Sequence, residues 1–182
     1  MKFKVLSWAD CEQVRQWRNK CLYALRTPYF LTEEQQSKFY ENVICDRNAR
    51  ARFWGIWEIG EYPGYGGEPQ KGEILIGMAG LENIEWENSR AEISLIINPE
   101  YHGMGYGTQA FDMLLIKGFN EMHLRQIWGE VYHCNPAKDF WMHMCDKYNA
   151  YKAQHKDVKF WGGTYWSSTY FSFEQEAWIC HK

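Results

Sequence analysis

The stretch NPEYHGMGYGTQAFDMLLIKGF, Asn98–Phe119, sets three glycines at alternate positions, Gly103, Gly105 and Gly107, directly before an apolar run. In and just beyond that run Phe111, Leu114, Leu115, Gly118, Phe119 and Met122 recur at helical spacing, which predicts an amphipathic helix. A helix start leaves backbone N–H groups without internal partners and carries about half a positive charge from the macrodipole. Glycine removes the side chains that would hold an anion away and permits the positive φ angles that turn N–H groups inward. Pro99 stops the preceding strand, so the order is strand, loop, helix, the setting of a phosphate cradle. Taken alone, the glycines also fit a turn with no ligand.

Two common phosphate motifs do not match. A nucleoside-triphosphate loop needs Gly-Lys-Ser/Thr, and Gly107 is followed by Thr108 without a lysine. A dinucleotide fold needs G-x-G-x-x-G near its first strand and an acid about 20 residues on. Here the spacing is G-x-G-x-G, in mid-chain, and the next strand ends in Tyr132-His133.

Outward from the glycines, FKVLSW reads as a short first strand, with Asp10 capping a helix that puts Val14 and Trp17 on one face. Thr32 and Gln35 form a capping box for a second helix through Phe39, Tyr40, Val43 and Ile44. RFWGIWEI, EILIGMAGLENI and RAEISLIIN read as strands, the last two joined by polar EWENS. GEYPGYGGEPQKG, Gly60–Gly72, reads as a long hairpin connection. QIWGEVY is a further strand, Asn135-Pro136 opens a helix through Phe140, Trp141 and Met144, and the tail KFWGGTYWSSTYFSFEQEAW is β-rich. Gly162-Gly163 suits a tight hairpin in that tail. The pattern predicts an α/β or α+β fold over residues 1–182 as a single domain, with a strand meander at its centre.

Composition narrows the function classes. A net charge of -3 gives no reason to expect nucleic acid as a partner. The 18% aromatic content favours an aromatic-lined interior or pocket. Cys11, Cys21, Cys45, Cys134, Cys145 and Cys180 are scattered without a CxxC pair, so no metal site is expected and the thiols read as reduced, mostly packed as small apolar groups. MKFKVLSWADCEQ is too polar for a signal peptide and no window reaches membrane-spanning length. The expectation is a soluble, cytoplasmic protein with no membrane partner.

RAEISLIINPEYHGMGYGTQAFDMLLIKGF, followed by a strand and then NPAKDFW, resembles the acetyl-coenzyme A core of the GNAT superfamily of N-acetyltransferases. The family pattern Gln/Arg-x-x-Gly-x-Gly/Ala is met as His102-Gly103-Met104-Gly105-Tyr106-Gly107, with His102 in place of the usual Arg or Gln. The match covers roughly Glu73 to Met142. It implies a mixed, mostly antiparallel central sheet flanked by helices, with acetyl-CoA as the acyl donor. It also implies that the amides of Gly103, Met104, Gly105, Tyr106, Gly107 and Thr108 hold the pyrophosphate. The backbone of Leu95, Ile96 and Ile97 would pair with the pantetheine arm like an added strand, one N–H polarising the thioester carbonyl. Asn135 matches the family's Asn at the next helix, and Phe140 and Trp141 would flank the arm, although core packing explains those two equally well.

Amine acetylation needs a base, because alkylamines with a pKa near 10 are mostly protonated at neutral pH. Glu92, which shares a strand face with Ser94 and Ile96, is the catalytic candidate; its bland alternative is a carboxylate solvated or paired with Arg90. The tyrosine that protonates the thiolate in many family members is replaced here by Trp141, which cannot act as an acid. Tyr148 or water is left for that role, and His123, His133 and His143 read as surface or structural. The acids Glu58, Glu61, Glu68, Glu73, Glu82, Glu85, Glu87 and Glu92 outnumber Lys71 and Arg90, which would favour a cationic amine if they line the acceptor side. A solvated face is the simpler account of them.

The segment is similar to polyamine and ribosomal-protein N-acetyltransferases, and VRQWRNK to members acting on amino sugars. A small-molecule or peptide amine acceptor is therefore expected, with a homodimer and a monomer both open. A non-catalytic acyl-CoA sensor on the same fold is the alternative function.

Overall fold

The computed structural model describes residues 1–26, 28–63 and 69–179. Among these residues seven strands make one sheet: β1 (Lys2–Lys4), β2 (Arg52–Pro63), β3 (Pro69–Glu85), β4 (Arg90–Ile97), β5 (Gln126–Tyr132), β6 (Tyr151–Trp161) and β7 (Thr164–Glu174). Their spatial order is β1-β2-β3-β4-β5-β7-β6, antiparallel throughout except for the β4–β5 pair. The helices are α1 (Trp8–Lys20), α2 (Glu33–Phe39), α3 (Tyr106–Leu115), α4 (Lys138–Lys147) and the short α5 (Gln175–Ile179).

Local chemistry explains most boundaries and corrects some. Ser7, not Asp10, caps α1: Asp10 N donates to Ser7 Oγ at 3.3 Å, and the Asp10 carboxylate accepts from Ser7 N at 2.7 Å. The two residues form a capping box, so Asp10 is its third-position acid. The Thr32–Gln35 box opens α2 as expected, and the apolar run continues as a π-helical segment, Tyr40–Ile44. Strand β2 pairs with β3 as far as Pro63↔Pro69, so the strands absorb most of the expected Gly60–Gly72 connection. The remaining link at 64–68, Glu68 with it, and Cys180 lie outside the described residues. Asn135 does not open α4 directly. Its Oδ1 accepts from Ala137 N at 2.9 Å in a preceding turn, and the helix starts at Lys138. The β6–β7 hairpin turns on Gly162 and Gly163, with φ of 61° and 84°, as their sequence predicts.

The two faces of β4 serve different layers. Ala91 and Ile93 are buried against Phe111, Leu114 and Leu115 of α3, with Leu95 and Ile97 packed alongside. Ile96 on the opposite face packs with Met78 against Cys11, Val14 and Trp17 of α1. The main core is aromatic: the Phe111 ring meets Phe140, Trp141, Tyr148 and Phe173 at centroid distances of 5.1–6.4 Å. Edge-to-face packing dominates that cluster, which absorbs much of the aromatic content.

The parallel seam is short. Strand β4 pairs with β5 only at Arg90↔Gln126, Ala91↔Ile127 and Glu92↔Trp128. Beyond Glu92 the two strands diverge, leaving one backbone edge of Ile93–Ile97 without a neighbouring strand among the described residues. Ligands of open sheets bind at the carboxyl ends of parallel strands, and here that end is unzipped.

Candidate active site

One end of the divergence is the glycine turn. Gly103 and Gly105 have φ of 76° and 81°, conformations that disfavour any side chain, and a Cβ built on either would meet open space. Gly105 is the N-cap of α3 and no side chain caps the helix. Gln109 N, donating to Gly105 O at 3.2 Å, marks the start of the helical ladder. The earlier amides of that turn are the donors that an anion could take. Gly107 faces α4, and a Cβ there would meet the Phe140 ring in ordinary van der Waals contact at 3.4 Å.

The residues expected around this turn divide into two groups. Leu95, Ile96 and Ile97 lie past the last β4–β5 pair, with an open backbone edge. Met104 is 60% exposed at the turn. Tyr106 packs edge-on to Tyr101 at 6.0 Å, while Thr108 follows in the first turn of α3. His102 folds back, its Nε2 at 2.9 Å from Ile97 O, so the ring ties the turn to the end of β4. Asn135 follows the carboxyl end of β5, which runs parallel to β4 and so ends at the same end of the sheet as the turn. Phe140 and Trp141 are partly buried and pack against the core: Trp141 stacks on Phe171 at 5.3 Å and meets Phe140 edge-on at 5.2 Å.

The polar face of the sheet supplies the other end. Glu92 is buried, 7% exposed, and does not pair with Arg90, which instead binds Glu85 at 2.9 Å. Its partner is Arg26, whose Nη2 donates to Glu92 Oε1 at 2.5 Å; Asn83 Nδ2 donates to Oε2 at 2.7 Å. Directly across on β3 stands Glu82. Burial, and next the charge on Glu92, push the Glu82 carboxyl above its ordinary pKa. On β5, Trp128, Glu130 and Tyr132 follow the same alternation. Glu130 Oε1 accepts from Ser168 Oγ at 2.5 Å, and its Oε2 lies 3.9 Å from Arg26 Nη2. Two buried donors of the neighbourhood, Arg18 Nε and Trp128 Nε1, have no hydrogen-bond partner among the described residues.

Sequence reasoning singled out Glu92 and did not single out Glu130, Arg26 or Asn83, which the structure gathers around it. An acid inside the apolar strand QIWGEVY was the available signal for Glu130. Nothing local marks Arg26, which follows a 3-10 turn, Leu22–Ala24, and reaches Glu92 across 66 positions. Three of the acids between Glu58 and Glu92 are paired elsewhere: Glu58 with the amino terminus, Glu73 with Lys2 and Lys4, Glu85 with Arg90. Tyr148 faces α3: its hydroxyl donates to Asp112 at 2.7 Å and its ring stacks on Phe111. His133 bonds Thr169 Oγ1 at 3.0 Å, and burial lowers its pKa. His123 and His143 are exposed.

Among the described residues no helix is long and apolar enough to cross a membrane, and no group of His, Cys, Asp or Glu could hold a metal ion. No curated protein matches the sequence. The fold is similar to that of a spermidine N-acetyltransferase from Vibrio cholerae in complex with CoA and spermine: TM-score 0.78 and 16% identity over 98% of this chain and 97% of that one. E33Q and E41Q mutant forms of the spermidine/spermine enzyme from the same organism align with TM-score 0.76 and 16% identity, covering 98% and 96%. The model of the acetyltransferase (GNAT) domain matches residues 3–139, most of the chain and the whole of the divergent seam, glycine turn and Glu92. With that match added to the architecture, the chain belongs to the GNAT family of acetyltransferases and is an acetyl-CoA-dependent acyltransferase.

Proposed function

We propose that the chain acetylates a cationic primary amine, with a polyamine as the acceptor class, by direct attack of the amine in a ternary complex. One observation carries this reading: the unzipped edge of β4 joins an open glycine turn at one end to buried, hydrogen-bonded Glu92 at the other. Bound acetyl-CoA supplies an acyl carbon activated as a thioester. The residues present fit it, because the positive-φ glycines leave space against free amides and the strand edge can accept one more extended segment.

In this reading the amides from Gly103 to Thr108 hold the diphosphate, and Leu95–Ile97 orient the arm through backbone bonds. A β4 amide donates to the developing oxyanion; as the amide C–N bond forms the thioester C–S bond breaks, and the departing thiolate takes its proton from water. Asn135, whose oxygen is already committed to Ala137 N, offers its Nδ2 hydrogens to the arm. Glu92 takes the proton from the acceptor ammonium, directly or through one water, while Asn83 fixes its second oxygen. Glu130 adds a second carboxylate facing the same cation. Two strand-borne acids favour an acceptor with positive charge, and the Vibrio cholerae structure that shares this fold binds spermine.

Thiol release from acetyl-CoA tests the reading, with spermidine, putrescine, an amino sugar and a peptide amino terminus as acceptors. Spermidine is expected to give the highest kcat/KM. Glu92→Gln should lower kcat by about 10²-fold or more, the scale of a lost general base, while the acetyl-CoA KM stays within about twofold. Full turnover in that variant removes Glu92 from the chemistry, and silence toward every amine turns the reading toward a sensor of acyl-CoA.

A further inference from the structure

Arg26 sits where an acceptor's charge would sit. Its guanidinium bridges Glu92, at 2.5 Å, and Glu130, at 3.9 Å, and its side chain is half exposed while the Glu92 side chain is 9% exposed. The cation therefore covers the carboxylates from the solvent side. The acids are on β4 and β5, central strands of the sheet, whereas Arg26 arrives on a connection between helices.

The backbone beneath Arg26 is tied down. Lys159, buried on β6, donates from Nζ to Tyr23 O at 3.0 Å and to Leu25 O at 2.5 Å, and Cys134 Sγ donates to Tyr23 O at 3.5 Å. Lys159 also lies 4.5 Å from the centre of the Tyr132 ring. With the main chain anchored, the mobile part is the long side chain, which can swing away without unfolding the turn.

We infer that Arg26 is an internal stand-in for the acceptor, holding Glu92 and Glu130 until an external cation displaces it. This rests on the amine-acetylation reading above. A neutral acceptor offers nothing to replace the guanidinium and leaves two carboxylates beneath an unmoved cap. A monocation exchanges one charge for another, and a polycation gains more, since its second ammonium can stay near the remaining acid as Arg26 turns to solvent. Arg26 thus selects acceptors by charge, and it does so by raising the concentration at which they enter.

The test compares Arg26→Ala, Arg26→Gln and Arg26→Lys with the wild type, reading spermidine and acetyl-CoA KM separately. Removal of one half-exposed competing cation should lower the spermidine KM roughly two- to fivefold in the Ala and Gln variants. The acetyl-CoA KM should not move, and Lys, which keeps the charge, should hold the wild-type value. An unchanged or higher spermidine KM with reduced kcat overturns the inference and makes Arg26 a positioning residue for Glu92. If the wild type acetylates no amine, the acetylation reading fails by itself. Spermidine binding measured by calorimetry then decides on Arg26: tighter binding in Arg26→Ala upholds the stand-in, and equal or weaker binding overturns it.

Discussion

Glu82 and Glu92 face each other across β3 and β4, an arrangement that costs free energy when both are ionised. The molecule meets that cost in two ways: Arg26 and Asn83 serve Glu92, while Glu82 keeps its proton to higher pH through burial and the neighbouring charge. A folded-state pKa raised above the ordinary 4.5 favours folding below that value, and the contribution is lost as pH rises through the raised pKa. The difference in Tm between the wild type and Glu82→Gln should therefore move against the wild type between about pH 4.5 and neutrality. A difference that stays flat over that interval would show that Glu82 titrates normally. Glu92 was legible in the sequence because a lone acid in an alternating apolar strand must either meet a partner or line a cleft. Arg26 was not, since no periodicity relates an irregular turn to a strand 66 positions away.

At the level of elements, the strands and helices that carry periodicity were readable, and so were their polar starts. The exceptions have physical causes. Ser7 and Asp10 exchange bonds reciprocally, so either residue reads as the cap until geometry separates them. The Gly- and Pro-rich Gly60–Gly72 stretch reads as loop, yet a two-stranded extension of β2 and β3 needs only backbone bonds that glycine can make. At Gly77 an added side chain would meet backbone: a Cβ there would lie 2.5 Å from Ile96 O, on the β4 segment that borders the divergence. Gly77→Ala must push that carbonyl aside. We expect a loss of about 1–3 kcal/mol in denaturant titration, typical of overpacking, together with weaker binding of coenzyme A by calorimetry. Retained stability and affinity would mean that β4 shifts freely and that its edge is not held in position for a ligand.

Over the whole molecule, one sheet separates two layers with different duties. The aromatic layer around Phe111 gives rigidity, and the layer carrying α1 and α2 covers the polar face on which Glu92 and Glu130 stand. Family-level patterning revealed the first layer, because Gly103, Gly105 and the α3 run are local features. The second is assembled from three separate parts of the chain, and only folding brings Arg26, Glu92 and Glu130 together. The short β4–β5 seam also has a dynamic consequence. Past Glu92, every second amide of β4 on the divergent side lacks a paired strand among the described residues and should take up deuterium quickly, while its neighbours facing β3 stay slow. Saturating coenzyme A should erase that alternation by supplying the missing acceptors. Identical labelling with and without coenzyme A would mean that nothing docks along that edge.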